Sequence, residues 1–161
     1  MMKNFKSLIL FLIFLIFSSC DQEDELPDNS ICATILCVPA VSFFKLKFVD
    51  KNTDANLLFN DTNNGMKYNL SDVKIYSTRF RKNLDFRVDS ANKSDRFLIF
   101  STAVTDEFII SLGNQPTDKL SVETQFIDQP CCDELRLTKL TLNASAIPFT
   151  QFTPTTIILK K

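Results

Sequence analysis

The fold is decided by the stretch Ser42–Val49, whose sequence is SFFKLKFV. In it Phe44, Leu46 and Phe48 are separated by single lysines. Neighbouring residues of an extended strand point to opposite faces of a sheet, so this period of two puts the apolar side chains on one face and the lysines on the other. The stretch therefore predicts a β-strand with one buried face.

Similar patterns recur along the rest of the chain. Alternating rows predict strands at Val73–Tyr76, Leu84–Val88, Leu120–Phe126 and Leu135–Leu137. Continuous apolar runs at 97–100 and 108–110 predict central strands that are buried on both faces. A run rich in β-branched residues predicts a last strand at Thr155–Leu159. Turn-forming segments rich in Asn, Asp and Ser separate them, and no segment has apolar residues at helical spacing. The sequence predicts an all-β fold, an antiparallel β-sandwich of about eight strands, with a small β-barrel as the alternative.

The first 19 residues have a different composition. Met1–Lys6 carries two lysines and no acid, and Ser7–Phe17 is almost purely Leu, Ile and Phe. Two small residues then precede Cys20, which completes the layout of a cleaved secretory signal. The apolar run is about half as long as the roughly 20 residues that a bilayer-spanning helix needs, so a retained transmembrane helix is not expected.

The segment Phe17-Ser18-Ser19-Cys20 resembles the lipobox of bacterial lipoproteins. The resemblance implies cleavage before Cys20, a diacylglycerol on its sulfur and a further acyl chain, such as palmitate, on the new amine. Two or more acyl chains anchor a protein stably, at about 0.8 kcal/mol per buried methylene. Phe17 stands where the family more usually has Leu. The alternative is an ordinary secretory signal whose cysteine joins a disulfide.

Four acids fall within the five residues Asp21–Glu25. An acidic run directly after the lipid cysteine resembles the surface-export signal of Bacteroidetes-type lipoproteins, which implies a lipid-anchored protein on the cell-surface side of the outer membrane. The alternative is a solvated tether, because such a segment cannot bury enough apolar area to order itself. The expected organisation is a signal peptide at 1–19, a lipidated cysteine and acidic tether at 20–40, and a β-sandwich domain at 41–161.

The start of the predicted domain resembles the opening of prealbumin-like and carboxypeptidase-regulatory-like sandwiches. A strand ending at Val49 is followed by an Asp-x-x-Thr turn, a short segment with Leu57 and Leu58, and a second alternating strand. The resemblance covers about 30 residues and lacks the usual glycine after the Thr, where Asp54 stands. It implies the sandwich and brings no catalytic residues with it.

Apart from Cys20, the chain has four cysteines: Cys32, Cys37, Cys131 and Cys132. An even number of cysteines in an exported protein predicts two disulfides. Adjacent strand residues point apart, so Cys131 and Cys132 are expected to pair separately with Cys32 and Cys37 in one of two arrangements. A structural zinc site and a redox-active pair are the alternatives, although adjacent cysteines chelate poorly and no C-x-x-C motif is present.

The chain contains no histidine, which removes histidine-activated nucleophiles and the commonest general base. Its two glycines cannot form a phosphate-binding loop, and no cofactor is expected. Removal of Lys3 and Lys6 with the signal changes the formal net charge from −1 to −3, and no basic patch predicts binding to nucleic acid. The sequence therefore predicts a protein that is not an enzyme.

Two weak candidate sites remain. Asp50, Asn52 and Asp54 place side chains with oxygen atoms at alternate positions, and Asp61 is the twelfth residue counted from Asp50, as in a calcium-binding loop. The alternative is a hairpin turn, for which Asp and Asn are equally typical. Ser90, in Asp89-Ser90-Ala91, resembles a Bacteroidetes-type O-glycosylation motif.

The expected function is that of a lipid-anchored, non-catalytic interaction or structural module of the cell envelope, with the membrane and an envelope protein as partners. A small hydrolase that uses paired carboxylates is one alternative. A glycan-binding accessory lipoprotein is another, although 16 Phe, two Tyr and no Trp provide few of the amphipathic rings that stack on sugars.

Replacing the lipid cysteine tests the anchor directly. We expect Cys20→Ser to abolish incorporation of labelled palmitate and to leave an unprocessed precursor, because the acceptor sulfur is lost. A serine variant that is still cleaved and still fractionates with membranes would contradict the lipobox assignment.

Overall fold

In the computed structural model, which describes residues 41–59, 67–89 and 96–161, ten strands form two sheets. The strands are β1 Ser42–Val49, β2 Val73–Ser77, β3 Lys82–Asn83, β4 Arg87–Asp89, β5 Phe97–Thr102, β6 Asp106–Leu112, β7 Asp118–Ile127, β8 Glu134–Leu142, β9 Ser145–Ala146 and β10 Thr155–Lys160. A short 3-10 helix, Leu70–Asp72, precedes β2. All these residues belong to one unit of the chain, Cys37–Lys161.

The two sheets pack as an open β-sandwich. One sheet has the order β10-β1-β5-β4 and the other β3-β2-β6-β7-β8-β9. The all-β class and the sandwich are confirmed, and the sheets do not close into a barrel. Among the described strands one pair is parallel: β1 pairs with β10 in register from Phe44↔Thr155 to Val49↔Lys160. A parallel pair needs a long crossover, and the whole domain between these two strands provides it.

The alternating row Leu84–Val88 is not one strand. Residues 82 and 83 form β3 in the six-stranded sheet, and residues 87–89 form β4 in the four-stranded sheet. Between them the chain crosses from one sheet to the other, and the Leu84 amide donates to the Ile75 carbonyl at 2.8 Å as it leaves. Leu84 and Phe86 pack against the core from this crossing. The apolar alternation thus reflects burial at the edge of the core and not a continuous ladder.

The apolar runs in β5 and β6 are interior strands of their sheets, but they are not fully buried on both faces. Their inward side chains are buried, whereas Phe97, Ile99 and Ile109 on the outer faces are half-buried. The ammonium groups of Lys45 and Lys47 lie 5.3 and 5.6 Å from the centre of the Phe97 ring. The side chains of these two lysines therefore cover the Phe97 ring on the outer face of the sheet.

Aromatic contacts join the two sheets through the core. Phe44 and Phe100, both in the four-stranded sheet, have ring centroids 5.3 Å apart. Phe100 meets Phe108 of the six-stranded sheet edge to face, at 5.3 Å and an interplanar angle of 76°. The three rings are at most 3% exposed. Around them lie the other inward residues of both sheets, including Leu46, whose side chain is 1% exposed.

Positive φ in the turns is not confined to Asp, Asn and Gly. Asp54 and Asn143 have positive φ, as expected of Asp and Asn in turns, but so do Arg81, Ala144 and Phe152. Asn143 and Ala144 are the two turn residues of the β8–β9 hairpin, where the favoured turns need positive φ at both positions. The Asn143 side chain supports this turn, since its Oδ1 accepts from the Lys119 amide at 2.9 Å and its Nδ2 donates to Asp118 at 2.7 Å.

None of the residues that the structure describes forms a helix with the length and apolar character that crossing a bilayer requires.

Truncating a ring at the sheet interface tests the importance of the aromatic contacts. We expect Phe108→Ala to lower the free energy of unfolding by about 3–5 kcal/mol, because it removes a fully buried ring and leaves a cavity. The measurement is urea denaturation followed by circular dichroism. Phe80→Ala is the matched control, since that ring is 52% exposed and its loss should change stability by about 0.5 kcal/mol or less. Equal losses in the two variants would contradict this account of the core.

Candidate functional site

A cleft of about 660 Å³ opens at one end of the sandwich. Its walls come from the starts of β1, β8 and β10, the connection before β8 and the segment Thr150–Pro154. Its volume lies within the range of roughly 300–1,000 Å³ that is typical of small-ligand sites. Because β1 begins here, the cleft lies at the end of the domain where the predicted tether joins Val41.

The cleft has an apolar lining with exposed aromatic groups. Phe44, Leu135 and Leu137 line it as part of the buried core, while Phe43 and Phe152 are 42% and 80% exposed. Phe152 also has a φ of 63°, which an L-residue with a large side chain rarely adopts. An exposed ring on strained backbone has to be held by its neighbours.

Gln151 holds the segment that carries Phe152 in place. Its side-chain amide donates to the Leu137 carbonyl and accepts from the Leu137 amide at 3.2 Å, so it pairs with β8 as a strand residue would. Thr153 adds a bond from its hydroxyl to the Thr150 carbonyl at 3.3 Å. These contacts fix the segment on both sides of Phe152 and keep the ring at the cleft.

Two carboxylates, Asp133 and Glu134, line the cleft. Arg136 donates to both carboxylate oxygens of Glu134, at 2.7 and 3.2 Å, and this hydrogen-bonded ion pair lowers the pKa of Glu134. A general acid needs a raised pKa so that it carries a proton at neutral pH. Glu134 is therefore poorly suited to the acid role that a two-carboxylate hydrolase requires.

Among the carboxylates in the described ranges, that of Asp106 is the most buried, and it stabilises the fold. Its side chain accepts from the Ser77 hydroxyl, from the Arg79 amide at 3.0 Å and from the Glu107 amide at 2.7 Å. The Ser77 hydroxyl in turn accepts from the Phe80 amide at 3.0 Å. Asp106 is 6% exposed, and its hydrogen bonds organise the turn after β2. Sequence patterns gave no signal for this residue, because nothing in them separates it from other acids at strand starts.

The calcium-site candidate at Asp50, Asn52 and Asp54 forms a turn. Asp50 Oδ1 accepts from the Asn52 and Thr53 amides at 3.0 and 3.1 Å, and these bonds are the main cause of the lowered pKa of Asp50. Asp54 forms an ion pair with Lys160 at 2.9 Å. Asp61 lies outside the described residues, and within the described ranges no three metal-binding side chains cluster. The geometry fits a side-chain-capped turn after β1.

The two tyrosines do not form a sugar-stacking platform. Tyr68 packs against the core, its ring lies against Gly113 at the end of β6, and its hydroxyl accepts from Gln115 at 2.7 Å. Tyr76 lies on the opposite, outer face of the sheet, paired with Ile109. Ile109 and Gly113 are four positions apart along the chain, which corresponds to about 13 Å of strand.

Of the four predicted disulfide cysteines, the structure describes Cys131 and Cys132. Neither is a free thiol, and Cys132 lines the cleft. Cys32 and Cys37 lie outside the described residues, as do Cys20, the acidic run 21–25 and Ser90. The pairing of the cysteines, the lipid site and the glycosylation site remain predictions.

In comparison with known proteins, no family model, no curated protein and no solved structure matches this chain.

The disulfides are tested by peptide mapping. We expect the denatured, unreduced protein to contain no free cysteine apart from Cys20, and proteolysis to recover a peptide around Cys32–Cys37 joined to one with Cys131–Cys132. Removing both bonds should cost about 4–5 kcal/mol, the entropy of closing a loop of roughly 100 residues. Removing one should cost much less, because the other closes nearly the same loop. Free thiols, bound zinc or a bond between Cys131 and Cys132 would contradict the prediction.

Proposed function

We propose that this protein is a lipid-anchored, non-catalytic binding module of the outer membrane, displayed at the cell surface, whose partner is an envelope protein. The observation that carries the proposal is the apolar cleft with its exposed rings, Phe43 and Phe152. Its chemistry suits a partner that inserts apolar side chains, because burying apolar area is the main interaction such a lining offers.

The distribution of charged groups supports a role in binding. Ion pairs such as Lys119–Glu107 at 2.6 Å and Lys139–Glu123 at 2.8 Å lie on the surface. The buried carboxylate of Asp106 accepts hydrogen bonds from the turn after β2. A hydrolase that uses two carboxylates needs one carboxyl group with a raised pKa, whereas the hydrogen bonds from Arg136 lower the pKa of Glu134 in this cleft.

The position of the cleft supports a role near the anchor. Val41, which follows the predicted tether directly, is one of the lining residues. A tether of about 20 residues reaches at most roughly 70 Å when fully extended. A cleft at the tethered end of the domain would thus stay within reach of proteins of the same membrane.

Site-specific photo-crosslinking tests the proposal on the full chain in cells that lipidate it. A crosslinking amino acid in place of Phe152 should give one discrete adduct with an envelope protein, since this ring is the most exposed of the cleft. The same amino acid in place of Phe80 is the control, because Phe80 is also exposed but lies on the turn at the other edge of the six-stranded sheet. The Phe152 adduct should disappear when Phe43→Asp places a charge in the lining.

Two outcomes would contradict the proposal. One is the same set of adducts from both positions, or none from Phe152. The other is a hydrolytic activity that Asp133→Asn or Glu134→Gln abolishes, which would favour the carboxylate hydrolase.

A further inference from the structure

The edges of the two sheets are protected unequally. The edge strands β3 and β9 have two residues each, and β4 has three. Where β8 extends beyond β9, the Gln151 side chain covers Leu137, and the Ile147 amide donates to the Leu140 carbonyl at 2.9 Å. Short strands and covered backbone groups are common ways to prevent sheet edges from pairing with other chains.

The fourth edge, β10, has none of these protections. It is six residues long, and among the described strands it pairs only with β1. Its outward side chains are Thr156, Ile158 and Lys160; all three are exposed, and Ile158 is 51% exposed. An edge strand of this length with an apolar outward residue is a template for pairing.

Hydrogen bonds beyond the strand give the direction of its backbone groups. The Lys161 amide donates to the Val49 carbonyl at 2.9 Å, and the Lys161 carbonyl accepts from the Lys51 amide at 2.9 Å. The main chain of Lys161 therefore faces β1. Because backbone groups alternate sides along a strand, those of Thr156, Ile158 and Lys160 face the free edge. They form three unpaired donors and three unpaired acceptors within the described part of the chain.

We propose that β10 pairs antiparallel with β10 of a second copy of this chain, about a two-fold axis at Ile158. In this register Ile158 faces its own counterpart, and each Lys160 faces a Thr156. The strand is self-complementary, because the two lysines stay apart and the two isoleucines bury each other. The two four-stranded sheets join into one sheet of eight strands.

The symmetry closes the assembly as a dimer. Each copy uses its β10 edge once, and the edge strands β3, β4 and β9 have two or three residues each. A two-fold contact uses the same edge of both copies and leaves no second β10 edge to bind a further copy. The inference does not rest on the proposed function, since it uses neither the cleft nor the lipid anchor.

Cysteine crosslinking in membranes that carry the full chain tests the register. Residues directly opposite in such a pair have Cα atoms about 5.5 Å apart, within the range that a disulfide spans. Ile158→Cys should therefore shift the chain from monomer to dimer on a non-reducing gel after mild oxidation. Thr156→Cys alone and Lys160→Cys alone should stay monomeric, because each lies about 13 Å from its own counterpart. Co-expression of the Thr156→Cys and Lys160→Cys chains should restore the dimer.

The wild-type chain, which keeps its native cysteines, should give no covalent dimer under the same conditions. A second measurement uses the full chain, extracted from the membrane in a mild detergent, in sedimentation. Ile158→Lys places two like charges opposite each other and should shift the dimer to monomer, while Phe80→Lys should leave the dimer unchanged. No crosslink from Ile158→Cys, crosslinks of equal yield from all three single variants, or a sedimenting species that ignores Ile158→Lys would each overturn the proposal.

Discussion

The edge-to-face contact between Phe100 and Phe108 is the interaction on which the rest of the structure depends. It is a direct contact between one sheet and the other, and both rings are almost fully buried. Burial of each ring contributes about 1.5–3 kcal/mol, and an aromatic pair of this geometry adds roughly 0.5–1.5 kcal/mol. The relative position of the two sheets that this contact fixes determines which segments can meet at the end of the sandwich. The cleft exists because β1 and β10 of one sheet lie across from β8 of the other.

The strands that alternate clearly could be predicted from the sequence, since one buried face leaves a period of two. The row at 44, 46 and 48 and the rows in β2, β7 and β8 are cases of this kind. The strands β3 and β9 have only two residues each, and all of these are exposed, so no apolar pattern marks them. The alternating row from Leu84 to Val88 led to a wrong prediction of one strand, because residues buried where the chain crosses between sheets alternate in the same way as residues buried on a strand. The parallel pairing of β1 with β10 could not be foreseen, because pairing of sequence-distant strands leaves no local pattern.

The cleft could not be predicted for a related reason. Its lining comes from parts of the chain as far apart as Val41 and Thr155, and each part on its own has an ordinary composition. Phe152 is a clear example: the sequence gives no sign that a phenylalanine would adopt positive φ at an exposed position. Polar residues pose the reverse problem: Asp50 is a sequence candidate for metal binding, but its side chain accepts hydrogen bonds within a turn, as the side chain of Asp106 does. In a chain with no histidine, acids and amides have to be judged by their hydrogen bonds and not by their type.

The parallel pairing of β1 with β10 has a mechanical consequence. Val41 lies at one end of this pair, and Lys161 lies at the other. A pull between these two residues would slide the two strands along each other and would not peel them apart. When β1 and β10 slide, the evenly spaced hydrogen bonds along their six registered pairs share the force and must break together. Forced unfolding is governed by the rate of unfolding, so this pairing raises the force that is needed to separate the domain's first and last strands.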